Sequence, residues 1–210
     1  MQNKKDIENV AMASERMFRF YATHCDDPNK DTLFSLLEAV HSLHDKFKSV
    51  VKQDFHGINE FLALKSLRNY FHHQEELLHE VKVIPIKDYP IITDLVIMCI
   101  VPRTIIDGAI DSTKKMFQGD ARKACEDVFH WYGAVVNINP SLFNLVVKIY
   151  QQLREAGVPF TGEAVSLFED SYNYEVENGH SHFIDGRLST YAGNIDELLS
   201  DIISAHTPQN

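Results

Sequence analysis

The residues with the most chemical content lie in Ser66-Leu-Arg-Asn-Tyr-Phe-His-His-Gln-Glu-Glu-Leu-Leu-His79, which brings Arg68, Asn69, His72 and His73 close together in the chain. An imidazole titrates near neutrality and can take a proton from a ribose 2′-hydroxyl, while a guanidinium offers a planar fork of donors to the scissile phosphate. No metal is needed for that chemistry. Asn69 and His73 are four apart, a spacing at which an amide can orient an imidazole on one helical face. Arg68 and His73 are five apart, a rotation of about 500° in an uninterrupted helix, which leaves them roughly 140° from each other. They converge only if two protomers line one cleft, or if the helix starts or distorts near the motif. His72, four residues after Arg68, shares its face and is the alternative base. Without any chemistry, Arg68, His72, Glu75 and His79 also read as a solvated stripe beside a core stripe of Leu64, Leu67, Phe71, Leu78 and Val81.

A second pattern is a carboxylate followed three residues later by histidine: Glu38 and His41, Glu76 and His79, Asp127 and His130, Glu177 and His180. Di-iron and di-manganese helical bundles use this spacing, with a further Glu from each of two other helices. In that alternative, Glu76, His79, Asp127 and His130 face one another as metal ligands. Against it, Glu177-Asn-Gly-His180 runs into a glycine and leaves its helix, and His41 and His44 fall beside the core stripe of their own helix. His44-Asp45 reads as a surface pair. No Gly-rich phosphate loop, GxSxG elbow or HExxH is present, and the leading reading invokes no cofactor.

The arrangement Arg68-Asn69-x-x-x-His73 on a helix resembles the signature of the HEPN superfamily (higher eukaryotes and prokaryotes nucleotide-binding). Arg19 and His24 have similar spacing, but Phe20 replaces the polar second residue. The resemblance covers one motif and its helical context over about 32–81. It implies a helical bundle, a homodimer whose paired motifs meet in a cleft, and a metal-independent endoribonuclease. In that setting Arg68 braces phosphate, Asn69 orients, His73 is the general acid/base, and the product is a 2′,3′-cyclic phosphate. Toxin or defence use, with an antitoxin or other protein partner, follows by analogy alone. Two other classes stand beside it: a non-catalytic helical protein-interaction module and the di-metal bundle oxidase.

The formal net charge of -10 argues against a phosphate-driven grip on long nucleic acid, and hence against a DNA partner. A small basic site is still allowed, and Glu75-Glu76 beside the motif suits a narrow or protein-delivered RNA substrate. Cys25, Cys99 and Cys125 lack any CxxC pairing, which fits a reducing cytoplasm. Met1-Gln-Asn-Lys-Lys-Asp lacks the apolar stretch of a secretory signal. The most apolar run, Leu95 to Val101, falls well short of the roughly 20 residues that cross a bilayer, so no membrane partner is expected and the run should be buried core.

The elements that must position these residues read as helices throughout. At 44% hydrophobic and 24% charged, the chain is ordinary for a folded domain. Apolar spacings of three and four mark a first helix from Ile7 to Tyr21, stopped by Asp26-Asp27-Pro28-Asn29. Asp31 or Asn29 caps a second, Leu33 to Val50, ending near His56-Gly57. A third carries Leu64 to Val81, after which Pro85 and Pro90 break the chain, with a short extended piece at Val83-Ile84 as a minor option. A fourth is expected from Ile91 to Phe117, kinked or restarted at Pro102, and a fifth from Ala121 to Val136. Asn139-Pro140 starts a sixth through Leu153. Thr161 caps a seventh from Glu163 to Val176, a polar loop follows over Gly179 to Gly186, and a last helix covers Ile195 to Ala205. The expectation is an all-α bundle of seven to eight helices in up-down hairpins. It forms one domain, with a core over 6–138 and an added helical layer over 139–206. Both ends, 1–5 and 207–210, read as loose.

Overall fold

A computed structural model describes the backbone of residues 4–191 and 193–205, and the side chains of these except 4, 75–77 and 205. The expectation of loose ends therefore falls mostly outside the described residues. Helices dominate, as the apolar spacing implies. α1 (Lys4–Asp26) and α2 (Lys30–Val51) form a hairpin. The Asn29 side-chain oxygen accepts from the backbone N–H of Asp31 and Thr32, each at 3.0 Å, so of the two candidate caps Asn29 is the one used. Thr32 Oγ1 returns the favour, accepting from the Asn29 N–H at 3.1 Å.

The chain leaves α2 at Lys52, whose φ of 65° turns it back on itself, and Phe55 is driven fully into the core before α3 (Asn59–His73) begins. α3 is shorter than its apolar stripe suggests. A 3₁₀ turn over Glu75–Glu80 follows it, because from Lys82 the backbone is committed to strand pairing.

The main correction to an all-α fold is a sheet. β1 (Lys82–Pro85), β3 (Ile97–Pro102), β5 (Val135–Asn137) and β4 (His130–Tyr132) pair antiparallel in the order β1-β3-β5-β4, and β2 (Ile91–Ile92) pairs with β6 (Ser189–Thr190). The fourth expected helix is thus β2, β3 and a short α4 (Arg103–Ser112). The fifth, α5 (Gln118–Val128), stops where Trp131, Tyr132, Val135 and Val136 supply aromatic and β-branched residues around Gly133, at φ 51° in a two-residue hairpin loop. β3 is buried along its whole length, and a continuous apolar run of that length fits a doubly covered strand as well as a helix.

The sheet divides the core. Cys99, Val101 and Val136 face the principal cluster, with Phe18, Leu43, Phe71 and Tyr150, while Met98, Ile100 and Val135 face a smaller one with Leu188, Leu199 and Ile202. α6 (Asn139–Glu155) lies inside the principal cluster, α7 (Glu163–Asn178) packs beside α1, and α8 (Ile195–Ala205) covers the far face of the sheet. Among the described residues no helix is long and apolar enough to cross a membrane.

Candidate functional site

The apolar stripes of α2 and α3 pack into the core, which brings their polar edges together at the rim. α3 presents Lys65, Arg68 and His72, spaced by three and four along one face. α2 presents Glu38, His41, Asp45 and the adjacent His44. Arg68 Nη2 donates to Glu38 Oε2 at 2.6 Å and its Nη1 to Asn69 Oδ1 at 3.1 Å. His72 Nδ1 lies 3.8 Å from the other Glu38 oxygen, within electrostatic reach but too far for a hydrogen bond. One carboxylate thus holds an arginine and faces a histidine. The Arg68 side chain is only 15% exposed, whereas that of His72 is 55% exposed. His73 is exposed at the end of α3, its ring centroid 5.5 Å from that of His72.

The seam continues away from Arg68. His41 Nε2 lies 3.9 Å from Asp45 Oδ2, and His44 Nδ1 lies 3.3 Å from Asp45 Oδ1. The rings of His44 and His56 are 4.9 Å apart. His56 Nδ1 lies 3.1 Å from Asp54 Oδ2, and Lys65 Nζ lies 3.1 Å from His56 Nε2. Burial, and then the charge of Arg68, lower the pKa of His41. Burial, followed by His56 and Lys65, lowers that of His44 to about 4. His44 is 3% exposed between Phe55 and Phe61, so it is a core histidine rather than half of a surface pair.

The expected residues therefore separate into two sets. Arg68, Asn69, His72 and His73 gather at one end of α3, with the helical arithmetic favouring Arg68 and His72 as face-sharing partners. The metal alternative disperses. Asp127 is engaged by Lys123 at 2.6 Å and Asn59 at 3.2 Å. His130 is half-buried on β4, its pKa lowered chiefly by burial, with Asp94, Asp185 and Arg187 around it. His79 is exposed on the 3₁₀ turn, and the Glu76 side chain lies outside the described residues. Among the described residues, the His/Cys/Asp/Glu trio with ligand atoms all within 4.8 Å is His44, Asp54 and His56.

Asp54, His56 and Lys65 belong to none of the sequence motifs, while Glu38 enters them only with His41 in the carboxylate-histidine spacing and His44 only as half of a surface pair. One signal pointed to the region: six of the 11 histidines fall between residues 41 and 79. Elsewhere, a cleft of about 250 Å³ opens between α1, α6 and α7, lined by Phe18, Tyr21, Phe143, Phe168, Tyr172 and His182. Comparison with protein-family models, curated proteins and solved structures finds no match. The HEPN resemblance thus rests on the motif and its helical setting.

Proposed function

We propose that the chain is an HEPN-like helical endoribonuclease that cleaves RNA without a metal, its working groups at the C-terminal end of α3. The observation that carries this reading is the gathering of Arg68, Glu38, His72 and His73 at one exposed helix end. Glu38 holds Arg68 at 2.6 Å and lies 3.8 Å from His72 Nδ1, and a proton drawn to Nδ1 by that carboxylate would leave Nε2 as the base. In the reaction one imidazole takes the proton of the ribose 2′-hydroxyl, whose oxygen attacks phosphorus. The P–O5′ bond breaks, the second imidazole protonates the leaving 5′-oxygen, and the products are a 2′,3′-cyclic phosphate and a 5′-hydroxyl. Arg68 supplies positive charge to the phosphate, and Asn69 holds its guanidinium. The largely buried Arg68 suits one narrow strand rather than a duplex. A second copy placed against the open end of α3 would complete a homodimeric cleft, with toxin or defence use in the cytoplasm as its setting.

The test is cleavage of a mixed RNA pool in EDTA. Wild type should release cyclic phosphate ends, and His72→Ala/His73→Ala and Arg68→Ala should each lower the rate by about 10²-fold or more. Cleavage that survives the double histidine change, or none by wild type, removes this reading. A second reading, a protein-interaction module, draws on the aromatic cleft beside α7 and on Leu167 and Tyr174, which are 63% and 61% exposed one heptad apart. It predicts silence in that assay from every variant.

A further inference from the structure

The fold-back of residues 52–58 between α2 and α3 sets Asp54 and His56 over His44, and the sequence motifs do not account for that cluster. We propose that His44, Asp54 and His56 bind a divalent transition-metal ion of zinc-like chemistry that fastens this loop to α2. One ligand atom from each residue lies within 4.8 Å of the other two. His44 supplies the strongest part of the case. It is 3% exposed, and its Nε2 is buried without a hydrogen-bond partner among the described residues. Its Nδ1 faces Asp45 Oδ1 at 3.3 Å. A carboxylate that accepts the Nδ1 proton fixes the tautomer and leaves the Nε2 lone pair bare, which is how metal-binding histidines are held by their outer partners. The rings of Phe55 and Phe61 around it offer no donor of comparable strength, so a cation is the partner that this lone pair lacks.

Two imidazoles and one carboxylate, with a solvent molecule as fourth ligand, suit zinc and its neighbours. Calcium and magnesium demand more oxygens. Asp54 and His56 are part-exposed at the rim, which gives the ion a path in. Zinc bonds of about 2.0–2.2 Å place tetrahedral ligand atoms roughly 3.4 Å apart, so the trio must contract by side-chain rotation in those two residues. Two ammonium groups stand in the way: Lys48 Nζ is 3.4 Å from Asp54 Oδ2, and Lys65 Nζ is 3.1 Å from His56 Nε2. They are the cations that the metal displaces. Lys48, half exposed, is free to swing into solvent, whereas Lys65 is held more closely and is the main competitor. None of the three ligands belongs to the Glu38, Arg68 and His72 group, so this site stands or falls apart from the nuclease reading.

The full chain, stripped with EDTA and dialysed, is titrated with Zn²⁺ by calorimetry and with Co²⁺ by visible absorption. The expected result is one ion per chain, the intense ligand-field bands of four-coordinate cobalt, and a rise in melting temperature. His56→Ala should abolish the bands and, because the side chain is part-exposed, should keep the metal-free melting temperature close to wild type. Asp45→Asn should weaken binding by about 10- to 100-fold, and Lys65→Met should tighten it. Equal metal uptake by wild type and His56→Ala, or no uptake at a large excess of either ion, overturns the proposal.

Discussion

Asn137 sits at the end of β5 with no exposed surface, and its side-chain oxygen accepts from the backbone N–H of Cys99 at 3.1 Å and of Asn139 at 3.2 Å. It ties the central strand to the first turn of α6, and Asn139 adds a bond from Nδ2 to the Ile97 carbonyl at 3.1 Å. Changing Asn137 to Ala strands two buried donors, each costing about 1–3 kcal/mol, but also removes a buried Nδ2 without a partner among the described residues, so a loss of roughly 2–4 kcal/mol is expected in urea denaturation. A loss below about 1 kcal/mol would mean that water or a local shift satisfies both groups. Asn139-Pro140 marks the start of this helix in the sequence, and the helix does start there. The acceptor lies two residues earlier, and nothing in local spacing identifies a strand residue as a helix cap. The same limit governs the candidate site. Arg68 and His72 on one face follow from helical rotation alone. The meeting of His44 with Asp54 and His56 depends on Phe55 burying itself after Lys52, and no period in the sequence encodes that.

Among the elements, α7 is capped from far away in the chain. Its first turn has no side-chain cap of its own. Instead the Glu15 carboxylate, on α1, accepts from the N–H of Ala164 at 3.3 Å and of Val165 at 3.2 Å. Thr161, the cap expected from the sequence, is displaced by a negative charge at a helix N-terminus, where the dipole favours it. A Cβ at Gly162 would collide with the same carboxylate. Glu15→Ala should therefore cost about 1 kcal/mol, and Gly162→Ala about as much by pushing the cap away. In the Glu15→Ala background Gly162→Ala should be near neutral, a coupling that a double-mutant cycle reads directly. Additive costs would show that the collision is relieved elsewhere. Where helices carry an apolar stripe of their own, as α1, α2, α6, α7 and α8 do, spacing was enough to place them. It failed over 97–102, where the apolar residues run on without a gap and both faces of β3 are covered, and over 130–137, where a hairpin around Gly133 replaces the helix.

At the scale of the whole molecule, two electrostatic effects of opposite sign meet on acidification. A chain with a net charge of -10 repels itself less as carboxylates and histidines take up protons, which favours the compact state. Against this stand four histidines on three elements, His24 on α1, His41 and His44 on α2, and His130 on β4, each held below the ordinary value of 6.5 chiefly by burial. An unfolded chain binds protons at these imidazoles from about pH 6.5 downward, while the folded chain resists, so the unfolded state carries more protons and stability falls with pH. Above that value the four cost nothing. For His44, with a folded value of about 4, the gap corresponds to roughly 2 kcal/mol at pH 5 and about 3 kcal/mol once the pH has fallen below 4. That exceeds the few tenths that screened surface repulsion returns at physiological salt, so the histidines should win. Urea midpoints measured in EDTA should fall from about pH 7 to about pH 5, and His44→Leu, which keeps the pocket apolar against Phe55 and Phe61, should flatten the slope. A midpoint that rises on acidification would show instead that charge relief dominates, and a slope unchanged in His44→Leu would move the proton uptake to His24, the other buried imidazole among the described residues, whose Nδ1 is 2.9 Å from Thr32 Oγ1.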